Sequence, residues 1–139
     1  FKNSFSKTNG LFAGYNSELF LQNSTFTNMT ANQGMSAITC SKTLKCIIRQ
    51  CHFIFNNALN LGNIMIEDAV GSISNSVFQS NSVRGQGGAL YLTASAKLQI
   101  TESTFLNNSA LTTGGAIQVE LYSSLTLIEC TFEANYAVS

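Results

Sequence analysis

Phenylalanine recurs along this chain at positions that divide it into units of nearly equal length. Six of these residues follow one another at intervals of 25 to 27 positions: Phe1, Phe26, Phe53, Phe78, Phe105 and Phe132. Asparagine stands three positions after four of them, at Asn56, Asn81, Asn108 and Asn135. A repeat of this length indicates supersecondary units that bury their apolar residues by stacking on one another.

Each unit contains about three short stretches in which inward-facing residues skip by two. Seven and five positions before each later phenylalanine lie pairs such as Cys46 and Ile48, or Leu98 and Ile100. Eleven positions after the first five phenylalanines lie residues that we align as one column: Phe12, Ala37, Ile64, Ala89 and Ala116. A period of two is that of a β-strand, and such short strands must stack on the next unit, about 4.8 Å away.

We therefore expect an all-β fold, a right-handed parallel β-helix of about five coils of 25–27 residues with three parallel sheets. The handedness follows because parallel crossover connections are right-handed in about 98% of cases. A leucine-rich repeat is the alternative, because CTFEAN fits part of its pattern. That fold would place a helical arc after the strand, whereas GGAIQVELYSSLTLIE shows two further alternating segments.

Residues 1–139 are expected to form a single β-helix segment. We find no polar cap or amphipathic helix at either end of the sequence, and an uncapped coil exposes unpaired strand groups that invite another chain. The segment is therefore predicted to continue into further coils of a longer chain, or to stack end to end with copies of itself.

The composition narrows the classes of function. Charged residues make up 10% of the chain and the formal net charge is zero, so there is no electrostatic basis for binding nucleic acid or an anionic membrane. No apolar run approaches the roughly 20 residues of a membrane-spanning helix. Four cysteines, an even number, fit a secreted protein with one or two disulfides and fit buried free thiols equally well. We predict an extracellular or cell-surface location.

The asparagine column is predicted to lie where the chain leaves one sheet for the next. Asparagine tolerates the left-handed backbone that a sharp corner requires, and stacked amides can hydrogen bond from coil to coil. Met29 takes this place in the unit that begins at Phe26, so the ladder should end there. Paired glycines precede two strands, at 87–88 and 114–115, where positive φ or close backbone approach is expected.

Two motifs recur together: FxxN at 53–56, 78–81, 105–108 and 132–135, and GGA followed by Leu or Ile at 87–90 and 114–117. This combination resembles the repeat of the polymorphic outer-membrane autotransporter adhesins, and of related β-helix surface proteins of eukaryotic microbes. The resemblance implies a surface adhesin, spacer or filament subunit with an adhesive role. Its partners would then be glycans or other cell-surface ligands.

The alternative function is that of a carbohydrate-active enzyme, because many parallel β-helices are polysaccharide lyases or hydrolases. Such sites gather carboxylates and basic residues on one sheet face. Glu102 and Glu129 form the most suggestive stacked pair, and His52, the single histidine, falls in an outward column. Both are more simply solvated side chains. We predict no catalytic residue, cofactor or metal in this segment, so an enzyme's site would lie outside it.

Two sets of residues could be modified covalently, by glycosylation or by disulfide formation. Sequons place acceptors for N-linked glycans at Asn23, Asn28 and Asn107, all predicted to face outward.

Cys40 and Cys46 flank a short turn and could form a disulfide, with buried thiols as the alternative. Cys51 and Cys130 share a column but stand three coils apart, roughly 14 Å. They should not pair, because a disulfide allows a Cα separation of only about 7 Å.

Overall fold

The computed structural model of this protein describes the backbone of residues 5–6, 11–31 and 37–138, and the side chains of residues 13–31 and 37–138. Phe1, the first member of the predicted phenylalanine column, lies outside these residues. Every regular element within them is a β-strand, and the strands of each sheet pair in parallel. None of the described residues belongs to a helix that could cross a membrane. The predicted all-β parallel solenoid is confirmed.

The strands form four parallel sheets, where the sequence predicted three. Sheet 1 contains β2 (Leu11–Ala13), β6 (Ile38–Ser41), β10 (Ile64–Glu67), β14 (Leu90–Thr93) and β18 (Ile117–Val119). Sheet 2 contains β3 (Glu18–Gln22), β7 (Lys45–Arg49), β11 (Val70–Ser74), β15 (Lys97–Thr101) and β19 (Ser124–Ile128). These two sheets hold the longer strands of each coil.

The other two sheets hold the phenylalanine strands and the short strands that follow them. Sheet 3 contains β4 (Thr25–Thr27), β8 (His52–Ile54), β12 (Val77–Gln79), β16 (Thr104–Leu106) and β20 (Thr131–Glu133). Sheet 4 contains β1 (Phe5–Ser6), β5 (Thr30–Ala31), β9 (Asn57–Ala58), β13 (Ser82–Val83), β17 (Ser109–Ala110) and β21 (Tyr136–Ala137). Each coil therefore visits sheets 1, 2, 3 and 4 in that order.

The fourth sheet exists because the chain turns sharply just after the phenylalanine strand. The residue with positive φ at this corner is the one before the ladder position, which is Met29 in the first case and asparagine in the others: Asn28, Phe55, Ser80, Asn107 and Ala134. The prediction that the ladder asparagines themselves adopt the left-handed backbone is therefore wrong. After the corner, two residues pair with the next coil as a separate strand, which is too short to show an alternating pattern in the sequence.

The register of the coils follows most of the predicted columns, with two exceptions in sheet 1: Phe12 pairs with Thr39 and not with Ala37, and Ile64 is also shifted. Cys46 pairs with Leu19 and Gly71, as the sequence alignment predicts. Ile64 pairs instead with Ile38 and Leu90, because the loop before β10 is one residue shorter than the loop before β14. Four turns separate Phe26 from Phe132, and β1 and β2 belong to the turn before.

The core is filled by columns of like side chains. Four phenylalanines are 2% exposed or less: Phe26, Phe53, Phe78 and Phe105. Consecutive rings from Phe26 to Phe132 stack within 5° of parallel, with centroids 4.6 to 4.9 Å apart. Full burial of one such side chain contributes about 1.5–3 kcal/mol. The phenylalanine period therefore sets the phase of every coil.

A column of amides runs along the corner between sheets 3 and 4. Nδ2 of Asn81 donates to Oδ1 of Asn108 at 2.9 Å and to the backbone oxygen of Phe53 at 2.9 Å. Its Oδ1 accepts from the backbone N–H and from Nδ2 of Asn56, both at 3.1 Å. All donors and acceptors of this buried amide are thus paired, which removes the penalty for burying it. The ladder ends at Met29, which offers only its backbone N–H to Asn56.

The paired glycines show both of the expected backbone features. Gly87 and Gly114 have φ values of +70° and +66°. A Cβ atom on Gly88 would lie 2.0 Å from the backbone oxygen of Gly115. A larger residue at position 88 would push the loops of adjacent coils apart.

Candidate functional site

A shallow groove of about 480 Å³ lies on the outer face of sheet 2. We call it the sheet 2 groove. Nine residues line it: Gln22, Arg49, Gln50, Ser72, Ile73, Ser74, Asn75, Gln99 and Thr101. The lining therefore comes from four adjacent coils.

Side-chain size along the columns of sheet 2 produces this depression. Ile48 and Ile73 point into the core, so the residues next to them in β7 and β11 point outward. Ser72 and Ser74 are small, and they lie between β7 and β15, which present Arg49 and Gln99. The serine strand forms the floor, and the longer side chains of the flanking coils form the walls.

The chemistry of the sheet 2 groove is that of neutral hydrogen-bonding groups with one positive charge. Amides come from Gln22, Gln50, Asn75 and Gln99, and each supplies both donors and an acceptor. Arg49 is exposed, and no carboxylate is among the nine lining residues. A guanidinium group binds carboxylate or sulfate groups through paired hydrogen bonds. The groove is therefore suited to an extended, hydroxyl-rich ligand that carries acidic groups.

The residues that the sequence suggested for catalysis do not converge on the groove. Glu102 and Glu129 are exposed and have positive φ, at the corner between sheets 2 and 3. His52 is exposed on the outer face of sheet 3. Among the described residues, no group of three or more His, Cys, Asp or Glu side chains could hold a metal ion.

The three sequon asparagines lie at corners of the coils. Asn23 has positive φ at the corner between sheets 2 and 3, in the column of Gln50 and Asn75. Asn28 and Asn107 have positive φ at the corner between sheets 3 and 4. All three are exposed. The structure thus places the predicted acceptors on the outside of the solenoid.

Comparison with known proteins agrees with this geometry. The family described as "Right handed beta helix region" matches residues 1–139. The chain belongs to the right-handed β-helix family. The predicted handedness is thereby confirmed, whereas membership in this family fixes the fold and not the chemistry. No curated protein and no solved structure gave a significant match.

The cysteines of this right-handed β-helix take two different states. Cys40 and Cys46 form a disulfide with a Cα separation of 6.3 Å, which links sheet 1 to sheet 2 across the turn of residues 41–45. Cys51 and Cys130 are free. Burial raises the pKa of the Cys51 thiol, and its Sγ donates to the backbone oxygen of Arg49 at 3.2 Å. Cys51 is therefore held as a protonated thiol.

A polar cluster on sheet 1 escaped the sequence analysis. The Tyr91 hydroxyl donates to Oε2 of Glu120 at 2.8 Å, and Nε2 of Gln118 donates to Oε1 at 3.1 Å. Burial and the adjacent Glu120 raise the pKa of Tyr91. The phenol therefore stays protonated and acts as a donor rather than a base. The register that pairs Tyr91 with Gln118 was readable from the repeat, but Glu120 lies just beyond the end of β18.

Proposed function

We propose that this β-helix is a structural and adhesive module of an extracellular or cell-surface protein. The sheet 2 groove is the observation that carries the proposal. It spans four adjacent coils and presents amides, hydroxyls and one arginine, the groups that bind an acidic, hydroxyl-rich chain such as a glycan.

The disulfide supports the extracellular location. Cys40 and Cys46, both buried, are joined across the turn between sheets 1 and 2. Disulfides persist in oxidising compartments and are rare in the cytosol. The disulfide therefore favours a secreted chain.

The core supports a role as a stiff spacer. Each coil adds about 4.8 Å to the length of the solenoid. Each coil from Phe26 to Phe132 also contributes one phenylalanine to the ring stack, and all of these coils but the one with Met29 contribute one asparagine to the amide ladder. Because successive coils contact one another through matched columns, their outer strands recur at a constant spacing, although the side chains on them differ. A constant spacing of strands suits a polymer that has a repeat of its own.

A carbohydrate-active enzyme is the second candidate, and the Tyr91–Glu120 pair is the observation that favours it. A phenol held by a carboxylate could donate a proton to a leaving group. However, Tyr91 is only 7% exposed, and this limits its access to a substrate. We therefore rank binding above catalysis.

Binding to an array of neutral, carboxylated and sulfated glycans tests both candidates. The full chain should bind acidic members, and R49A should weaken that binding about tenfold, the effect of losing a charge-assisted pair of about 1.4 kcal/mol. Q99A, at the opposite wall of the groove, should weaken it as well. H52A is the matched control, because His52 is exposed on sheet 3, outside the lining.

Two outcomes decide between the candidates. Equal affinities of R49A and H52A would show that the sheet 2 groove is not the binding surface. Release of new reducing ends or unsaturated sugars from the bound glycans, lost in Y91F, would establish the enzyme instead.

A further inference from the structure

Sheet 3 is bordered on both sides by the sequon asparagines. Asn23 stands at its edge with sheet 2, and Asn28 and Asn107 stand at its edge with sheet 4. We propose that N-linked glycans on these three residues cover the outer face of sheet 3 and shield that face from binding partners. This inference rests on the extracellular location of the proposed function.

A positive-φ corner of this coil does not require an asparagine side chain. The backbone N–H of Asn23 donates to the oxygen of Arg49, and that of Asn107 donates to the oxygen of Glu133. Equivalent corners carry other residue types with the same positive φ, namely Gln50, Glu102 and Glu129 in one column and Phe55, Ser80 and Ala134 in the other. The amide of a sequon asparagine can therefore be modified without loss of the corner.

The column that contains Asn28 and Asn107 has room for a large substituent. Phe55 occupies the same place one coil above Asn28, and its ring is 55% exposed. The third residues of the sequons, Thr25, Thr30 and Ser109, lie on strands beside the corners and are partly exposed. The geometry of the folded coil is thus compatible with a glycan at each site.

The modification itself uses a lipid-pyrophosphate-linked oligosaccharide as donor. Nδ2 of the asparagine forms a bond to the anomeric carbon of the sugar, and the bond from that carbon to the pyrophosphate oxygen breaks. One Nδ2 proton is released, and the lipid pyrophosphate leaves. No redox change accompanies the transfer, and the acceptor signal is the N-x-S/T sequence.

Glycans at these three sites divide the outer surface of the solenoid into a covered face, sheet 3, and uncovered faces. The outer columns of sheet 3, which include His52 and Val77, lie between the Asn23 glycan on one edge and the Asn28 and Asn107 glycans on the other. The Asn23 glycan borders one end of the sheet 2 groove, since Gln22 lines that groove. Sheets 1 and 2 remain available for contacts.

Secretion of the full chain from eukaryotic cells, followed by enzymatic removal of N-glycans and site-by-site mass spectrometry, tests the inference. We expect three occupied sites. Each of the variants N23Q, N28Q and N107Q should run faster on a gel than the parent, by the shift that corresponds to one glycan. Secreted chain with the Cys40–Cys46 link intact and no glycan at any site would overturn the inference but leave the groove proposal standing. Glycans along only one edge would overturn the covering of sheet 3.

New acceptors in the same columns provide matched controls. V77T completes a sequon at Asn75, which is exposed and has the same positive φ as Asn23. S80N creates one with Ser82, in the column of Asn28 and Asn107. Both variants should gain one glycan, whereas V77A should gain none. Failure of both to be modified in the secreted, folded chain would show that these corners do not admit a glycan, against the proposal.

Discussion

The rings of Phe78 and Phe105 stack with their centroids 4.6 Å apart and their planes 2° from parallel. Phe78 also stacks on Phe53 at 4.9 Å, so a single ring contacts like rings on both faces. We expect F78A to lower the free energy of unfolding by about 3–5 kcal/mol, through lost apolar burial and the cavity left behind. Chemical denaturation measures this. H52A, at an exposed position of the same sheet, should change stability by no more than about 0.5 kcal/mol. Comparable losses of stability in F78A and H52A would contradict the placement of the phenylalanine column in the core.

Replacement of Asn81 by alanine should cost about 3 kcal/mol or more. The change leaves the backbone N–H and the Nδ2 of Asn56 without their acceptor, and each buried unpaired donor costs about 1–3 kcal/mol. N75A is the control, because Asn75 is exposed at a corner of the same coil. Urea denaturation of both variants would reveal the difference, and an N81A protein as stable as N75A would show that the amide ladder contributes little.

Loss of the Cys40–Cys46 disulfide should lower stability by about 2 kcal/mol, the chain-entropy value for so short a loop. We expect this for the double variant C40A/C46A and for the reduced protein, as measured by thermal unfolding with and without reductant. C130A replaces a free cysteine, so its melting temperature should still fall when reductant is added, as in the parent. Peptide mapping without reductant should recover the 40–46 link, and a Cys51–Cys130 link would contradict the coil register.

Stability should fall at high pH because of Tyr91. Burial and Glu120 raise its pKa in the folded state, whereas the unfolded phenol titrates near about 10. The stabilising contribution of the neutral phenol is complete below the unfolded pKa, and it is lost as the pH rises through the folded pKa. Denaturation midpoints above pH of about 10 should decline more steeply in the parent than in Y91F. Y122F, at a residue that is 95% exposed, should follow the parent.

The sequence by itself determined the coil length, the identity of the core columns and most of the register. Phe53, Phe78 and Phe105 mark the turns because a residue at the same position of successive parallel strands lies about 4.8 Å from its neighbours, close enough for their rings to stack. Alternation fixes which side of a strand is buried, since a slip by one residue would expose the whole apolar set. That is why the pairing of Cys46 with Leu19 could be predicted.

Only the tertiary structure decided how the coil bends and which outer residues meet. The two-residue strands of sheet 4 are too short for a periodic signal, and Ile64 shifts by one position because its loop is shorter. The sheet 2 groove forms because stacking brings Arg49 beside Ser74, residues 25 positions apart, and the Tyr91–Glu120 bond spans 29. Inward positions follow from local alternation, whereas outer contacts depend on loop lengths that set the alignment of whole coils.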